Sequence, residues 1–330
     1  MEGSGEFMRR VASVAASLSL VVLFAAACGD DASRSAATVA TATPIDVEPT
    51  PTPVQDNGGR QKAPIVLMHG MAGFESIGPA EYFYGVADAL RNDGYTVLVT
   101  IVDPFQSVEI RAAQAKAQID AYMLENGVAR VHLVGHSQGG LDARFAVSSL
   151  GLGDRVATVT TIATPHRGIE LVDVASGLTS GDGGAALIAL SSAFLGTTTG
   201  TNADLAAQLT EIGHQYCHDV FNPENPDDTR VRYYSVSGVT QPWITVDFFS
   251  VDIVDPLMLS AYWLNLALEG ENDGLVPLES AKWGEFLGTV PADHLDEMGW
   301  FPEIPQPAFD HLAFYRSLGA FVNGDGPAPL

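Results

Sequence analysis

The stretch VHLVGHSQGGLDARFAVSSL, residues 131–150, decides the fold prediction. It begins with the pattern of a buried strand and ends with helical spacing, and GHSQG joins the two. A strand-to-helix turn this tight strains its central residue, and glycine on both sides lets neighbouring backbone approach closely. Ser137 is therefore predicted to project from a nucleophile elbow at a helix N-terminus, where the helix dipole favours negative charge.

Strand and helix patterns alternate around this stretch. Strands are predicted over residues 64–69, 95–102, 130–135 and 156–163, and helices over residues 81–92, 108–125 and 139–150. Continuous apolar strands separated by helices indicate an α/β fold with a mostly parallel sheet and helices on both faces. Functional residues of such sheets gather at the carboxyl ends of the strands.

Amino-acid composition and net charge exclude several classes of protein. The 330 residues are 46% hydrophobic, which is enough for a sizeable core, and they carry a net charge of −24. A polyanion of this kind is repelled by the phosphates of nucleic acid, so no nucleic-acid partner is expected. With only 2 cysteines, neither a disulfide scaffold nor a cysteine-rich zinc module is available. No pattern indicates an organic cofactor.

The first 61 residues are predicted to form a targeting segment and a tether rather than part of the folded domain. Residues 1–7 resemble a cloning remnant, and residues 8–27 have the charged start and apolar run of a signal peptide. The run ends at Cys28, as in lipoprotein signals, which predicts a lipid anchor there; the alternative is ordinary cleavage and secretion. Both place the protein outside the cytoplasm. Residues 28–61, rich in proline and threonine, are predicted to form a tether, and residues 62–330 the catalytic domain.

A serine alcohol is a poor nucleophile, so Ser137 needs a base and an acid that orients the base. On this fold the chain order is serine, acid, histidine. If the acid is Asp273 in the polar loop at residues 271–274, only His294 and His311 follow it. His311 lies in a segment with helical spacing, which is typical of a structural histidine, so His294 is the preferred base. The competing acids are Asp252 and Asp255.

The negative charge that develops during attack on a carbonyl needs two backbone N–H donors. One is the residue after the nucleophile, Gln138. The other belongs to the loop after the first strand, HGMAG at residues 69–73, where Met71 is the candidate.

The motifs PIVLMHGMAGF, GHSQGGLDAR, ATPHRGIELVD, ENDGLVP and HLDE occur in this order between residues 63 and 318. Together they resemble the bacterial family I triacylglycerol lipases, which are α/β-hydrolases. The resemblance implies an extracellular lipase whose triad is Ser137, Asp273 and His294. It also implies oxyanion donors at Met71 and Gln138.

The chain departs from this family in its cysteines. Family members often form a disulfide through a cysteine just after the acid, but this chain has residues 278–280, LES, at that place. Cys217 therefore has no matching partner. The need for a dedicated foldase in folding is left open.

The resemblance also implies a structural calcium ion that braces the histidine loop. Its carboxylate ligands correspond to Asp255 and Asp296, and oxygen ligands suit this hard cation. The usual side-chain amide is replaced by Trp300, so a backbone carbonyl near Ile304 would have to contribute. The alternative is that both aspartates cap a helix or a turn.

A helical lid is predicted at about residues 171–215. Residues 174–203 contain a single charged side chain, Asp182, and an apolar stretch at residues 185–195. An apolar face of this kind could cover the serine and open onto lipid. The alternative is a buried helix of the core.

These observations predict an exported serine ester hydrolase, with a lipase acting on a lipid interface as the leading hypothesis. A carboxylesterase for short-chain or polymeric esters is the alternative. A hypothesis of another class is a non-catalytic surface lipoprotein that binds apolar ligands in its cleft.

Overall fold

A parallel β-sheet organises the part of the chain that the computed structural model describes, namely residues 62–71, 73, 76–77, 80–178, 204–240, 259–299 and 309–330. The strands are β1 Ile65–Met68, β2 Ser76–Ile77, β3 Ala80–Glu81, β4 Val97–Thr100, β5 Val131–His136, β6 Val156–Ile162, β7 Arg232–Gly238 and β8 Glu285–Val290. Six of them form the sheet in the order β4-β1-β5-β6-β7-β8, and every neighbouring pair runs parallel. β2 and β3 pair with each other in antiparallel fashion.

Helices connect the strands. They are α1 Val86–Asn92, α2 Val108–Asn126, α3 Gln138–Ser148, α4 Glu170–Leu178, α5 Leu205–Glu211, α6 His214–Tyr216, α7 Asn222–Glu224, α8 Leu259–Leu268, α9 Leu278–Ala281 and α10 His311–Asn323. A π-helical turn, Cys217–Phe221, and a 3₁₀ turn, Asp296–Met298, complete the set in the described residues. Several ends carry the expected caps: the Ser107 side chain accepts from the Ile110 amide at the start of α2, and Gly127 ends that helix.

Both faces of the sheet are covered. Side chains alternate along a strand, so Ile65 and Leu67 of β1 face one way and pack with α1 and α10. Val66 and Met68 face the other way and pack with α2 and α3. Two apolar layers therefore fix the strands from opposite sides, and the predicted α/β fold with helices on both faces is confirmed.

Three element predictions need correction. The helix expected over residues 81–92 begins only at Val86, because Gly85 has a left-handed φ of 67° that the helix cannot include. The strand expected over residues 95–102 is limited to Val97–Thr100, which matches the length of its partner β1. The sequence pattern predicted no strand after residue 163, whereas the structure has β7 and β8 there.

Several predictions lie outside the described residues. These are the remnant, signal peptide, Cys28 anchor and tether within residues 1–61, and the apolar stretch of the lid at residues 185–195. Among the described residues, no helix is both long and apolar enough to cross a membrane. Cys217 is a free, buried thiol, and burial raises its pKa to about 12.

Candidate active site

Ser137 lies at a sharp turn between β5 and α3, with φ 54° and ψ −131°. A non-glycine residue in this left-handed region is strained, by about 1–3 kcal/mol. The turn is held by close backbone contact: the Ser137 amide donates to the Ile162 carbonyl over 2.9 Å. A Cβ at Gly139 would meet the Met68 carbonyl oxygen, and one at Gly135 would lie 2.6 Å from Gly139 backbone. Only glycine allows the helix to start this close to β1.

The Ser137 side chain is available for chemistry. Serine at this N-cap position commonly caps the helix, but here the side chain makes no capping hydrogen bond. Instead the Ser137 carbonyl accepts from the Gly140 amide over 3.1 Å. The next residue, Gln138, opens α3, so its backbone amide lies in the first turn, at the positive end of the helix dipole.

Asp273 and His294 are brought together, although 21 positions separate them. Asp273 Oδ2 lies 2.7 Å from His294 Nδ1, and the His294 amide donates to the Asp273 carbonyl over 2.9 Å. Both side chains are buried. The other carboxylate oxygen accepts from the Leu275 and Val276 amides at 2.9 and 2.6 Å. The acid is thus fixed from one side and holds the imidazole from the other, which leaves Nε2 of His294 for proton transfer.

The competing histidine is elsewhere. His311 is the first residue of α10, and its Nε2 lies 2.9 Å from the Tyr84 carbonyl oxygen. This contact joins α10 to the segment before α1. The competing acids Asp252 and Asp255 lie outside the described residues.

A buried arginine fixes the loop that follows β1. Arg111 on α2 donates to the His69 and Gly70 carbonyls at 2.6 and 3.2 Å and pairs with Asp142 over 2.9 Å. The C=O and N–H groups of one trans peptide point in opposite directions. By holding the Gly70 carbonyl, Arg111 therefore aims the amide of Met71 away from itself, as an oxyanion donor requires.

Sequence reasoning missed Arg111, because nothing in its helix marks it apart from a surface residue. The only signal was Asp142 within the GHSQGGLDAR motif. Both side chains are fully buried, so each needs the other's charge. Burial raises the pKa of the Asp142 carboxyl to about 6, against the lowering effect of Arg111.

A second polar group, centred on Glu297, lies beside the Asp273–His294 pair and was also missed. Glu297 Oε2 is 3.0 Å from His136 Nε2 and 4.0 Å from His294 Nδ1, and its Oε1 accepts from the Gly238 amide. Burial, followed by the charge of Asp273, raises the pKa of Glu297 well above its usual range. The acid in the HLDE motif was the available sequence signal.

The predicted calcium ligands are only partly described. Asp296 opens the 3₁₀ turn two residues after His294, and its amide donates to Asp293 Oδ1 over 2.9 Å. Asp255 and Ile304 lie outside the described residues. Within the described residues, the cluster of three metal-ligating side chains is another one, formed by His136, His294 and Glu297.

The described end of the predicted lid region at residues 204–215 contacts the site. After the undescribed residues 179–203, Gln208 on α5 donates to the Gln138 side chain over 2.6 Å. Glu211, at the end of α5, accepts from the Val108 amide over 2.6 Å, at the N-terminus of α2. Burial raises the pKa of Glu211 to about 7. This end of the predicted lid region is therefore attached to Gln138, the residue predicted as an oxyanion donor.

The parallel sheet, the strained elbow and the acid–histidine pair define the class of the protein: an α/β-hydrolase. Residues 64–220 match the family described as palmitoyl protein thioesterase. The chain is 33% identical over 260 residues to a triacylglycerol lipase of Vibrio cholerae, covering 71% of this chain and 79% of the relative. It is 31% identical over 265 residues to a triacylglycerol lipase of Pseudomonas fragi, covering 73% and 89%.

Among solved structures, the Staphylococcus hyicus lipase matches with a TM-score of 0.60 at 18% identity, covering 82% of this chain and 98% of that one. This likeness supports the fold. The relatives identify the particular group: the chain belongs to the triacylglycerol lipase family. The predicted carboxylic ester hydrolase is thereby confirmed.

Proposed function

We propose that this protein is an exported family I lipase that hydrolyses triacylglycerol esters through an acyl-enzyme on Ser137. The observation that carries the proposal is the buried 2.7 Å contact between Asp273 and His294, on a sheet whose elbow presents Ser137. In this arrangement Asp273 holds the proton of the neutral imidazole on Nδ1, so the unprotonated Nε2 can act as base.

The reaction has two halves. His294 takes the proton from the Ser137 hydroxyl as the oxygen attacks the ester carbonyl, and the amides of Met71 and Gln138 stabilise the oxyanion. The C–O bond to the glyceride then breaks, and His294 gives the proton to the departing alcohol. In the second half His294 takes a proton from water, the resulting hydroxide attacks the acyl-enzyme, and the proton returns to Ser137 as the fatty acid leaves.

Labelling tests the nucleophile. A fluorophosphonate should form a covalent adduct at Ser137 in the native protein and none in Ser137→Ala. Unchanged ester hydrolysis by Ser137→Ala would contradict the mechanism. A native protein that is neither labelled nor active on esters would leave the non-catalytic binding protein as the better hypothesis.

The substrate proposal rests on the family and on the apolar composition of the predicted lid. Hydrolysis rates should be measured across acyl chain lengths, with and without an oil–water interface. A lipase should gain activity on long-chain triglyceride when the interface forms. A preference for soluble short-chain or polymeric esters, with no gain at the interface, would favour the carboxylesterase alternative.

Export is proposed from the sequence of residues 8–28, with Cys28 as the anchor. In a bacterial host that processes lipoproteins, the mature protein should begin at Cys28, carry lipid there and fractionate with membranes. Cys28→Ser should remove the lipid. A mature native protein without lipid in the culture medium would instead support the secreted alternative, and refolding without a helper would argue against a foldase.

A calcium ion held by Asp255, Asp296 and the carbonyl of Ile304 is proposed to brace the loop that carries His294. When bound, calcium would supply positive charge between two carboxylates that otherwise repel each other. Chelation should lower the melting temperature by a few degrees, and calcium should restore it better than magnesium. Asp296→Ala should give the same shift without chelator. An unchanged melting curve in excess chelator would exclude the ion.

A further inference from the structure

Three buried polar side chains that the proposed mechanism does not use form one continuous chain of hydrogen bonds. The Gly70 amide donates to Tyr82 Oη over 2.9 Å, and Tyr82 Oη lies 2.8 Å from His136 Nδ1. His136 Nε2 lies 3.0 Å from Glu297 Oε2, and Glu297 Oε1 accepts from the Gly238 amide. The chain therefore runs from the loop after β1 to the turn after His294.

Burying this hydrogen-bond chain costs free energy. Tyr82 is 4% exposed, and His136 and Glu297 are 0% exposed. Buried polar groups are tolerated when they are hydrogen-bonded, but apolar side chains of similar size often give a more stable core. Stability alone thus does not account for three polar groups in series, whereas fixing a geometry does.

The two ends of the chain meet different parts of the site. At one end, Gly70 precedes Met71, whose amide is the proposed oxyanion donor, so the Tyr82 contact fixes the peptide next to that donor. At the other end, Glu297 Oε2 is 4.0 Å from His294 Nδ1. In the middle, the His136 ring lies 4.6 Å from the His294 ring, and His136 directly precedes Ser137.

The two oxygens of Glu297 face different partners. Oε1 accepts from the Gly238 amide, and Oε2 lies 3.0 Å from His136 Nε2. A side chain that keeps an acceptor toward Gly238 and a hydrogen bond toward His136 would therefore keep this end of the hydrogen-bond chain intact.

We propose that Tyr82, His136 and Glu297 are positioning residues, whose hydrogen-bond chain sets the distance between the oxyanion-binding amides and the base His294. The inference rests on the proposed function, because the roles of Met71 and His294 belong to it. A displacement of about 1 Å at a reacting group can lower a rate about a hundredfold. Loss of a link should therefore reduce kcat rather than substrate binding.

Tyr82→Phe tests the end nearest the oxyanion, because it removes one hydroxyl and leaves the ring in place. On a soluble p-nitrophenyl ester we expect kcat to fall by a factor on the order of 10 to 100, with KM within about twofold. Tyr84→Phe is the matched control: this tyrosine lies two residues away and is 47% exposed, and its variant should keep kcat within about twofold. An unchanged kcat in Tyr82→Phe would overturn the proposal.

Two variants of Glu297 test the other end of the hydrogen-bond chain. Glutamine can keep both hydrogen bonds, since it offers one acceptor to the Gly238 amide and one donor to His136 Nε2, so Glu297→Gln should keep kcat within about threefold. Glu297→Met has similar length but no hydrogen bonds and should lose about as much kcat as Tyr82→Phe. Equal impairment of both variants, or no impairment of either, would overturn the proposal. Melting curves restrict the comparison to variants that fold. If Glu297→Met does not fold, Tyr82→Phe and Glu297→Gln still test the proposal.

The double variant Tyr82→Phe/Glu297→Met tests whether the chain acts as one unit. If the three residues act as one hydrogen-bond chain, the double variant should have a kcat little lower than that of either single variant. If the two substitutions act independently, their effects on kcat should multiply. Multiplying losses would overturn the proposal. Ser137→Ala, measured alongside, separates the two hypotheses. If Ser137→Ala retains activity, the proposed function fails; if it is inactive while Tyr82→Phe is unimpaired, only the positioning chain fails.

Discussion

Ser137 and His294 lie on segments that are held in place by different means. Ser137 follows β5, an inner strand paired with β1 and β6, and its turn is fixed by backbone hydrogen bonds and by glycines. His294 follows β8, an edge strand of the described sheet, and depends on the Asp273 carboxylate. The proposed nucleophile is thus positioned by backbone contacts, whereas the proposed base depends in addition on a side chain, the Asp273 carboxylate. Substitutions on the two sides should therefore fail in different ways.

The largest expected effect removes the reacting groups themselves. Ser137→Ala and His294→Ala should each lower kcat by a factor on the order of 10⁶, because the triad acts as a unit. His311→Ala is the control, since the ring of this histidine hydrogen-bonds to the Tyr84 carbonyl and not to Asp273, and its kcat should stay within about tenfold. An inactive His311→Ala beside an active His294→Ala would assign the base to the wrong residue.

Asp273→Asn tests the side-chain support of the base alone. The asparagine oxygen can still accept from Leu275 and Val276, but its amide then donates to His294 Nδ1 and moves the imidazole proton to Nε2. We expect kcat to fall by a factor on the order of 10³ to 10⁴, with little change in melting temperature. Asp310→Asn, at the N-cap of α10, is the control, because asparagine caps as well as aspartate. Retention of activity within tenfold would mean that another group orients His294.

Arg111→Met tests the loop after β1. It should lower kcat about a hundredfold, because the Met71 amide is no longer aimed. It should also lower the free energy of unfolding by about 3–5 kcal/mol, because Asp142 is left as an unpaired buried charge. Adding Asp142→Leu should recover much of the stability but not kcat, and the exposed Arg91→Met is the control. Recovery of both together would show that Arg111 matters for folding alone.

The smallest effect concerns α5. The pKa of Glu211 is about 7 in the folded protein against 4.5 for a free glutamate, chiefly through burial. The folded state therefore binds a proton that the unfolded state has lost between these values, and stability should fall as pH rises from about 4.5 to 7, by about 2 kcal/mol. Glu211→Gln should remove this part of the pH dependence in urea unfolding, while the exposed Glu109→Gln should not. If the free energy of unfolding depends on pH in the same way in the native protein and in Glu211→Gln, this prediction is wrong.

The comparison also explains what the sequence could predict. The elbow depends on consecutive residues, so GHSQG between an apolar strand and a helix was enough to predict its place on the fold. The pairing of Asp273 with His294 followed from chain order and from the helical spacing around His311. These inferences needed only local patterns and the rules of one topology.

Contacts between distant elements were not predictable in this way. Arg111, Tyr82 and Glu297 act through partners 12 to 161 positions away, and an isolated arginine or glutamate in a sequence carries no sign of burial. β8 was missed for a related reason. Its EFLGTV sequence is only partly apolar and contains Gly288, so its strand character comes from pairing with β7.

At the left-handed position 137, the residue that the proposed catalysis needs is not the residue that gives the most stable protein. Glycine adopts φ 54° without a steric penalty, so a chain with glycine at this position should gain about 1 kcal/mol after its greater freedom in the unfolded state is subtracted. That chain would lack the proposed nucleophile. Selection for heat resistance alone would therefore drive this position toward an inactive protein, and only selection for turnover retains the serine.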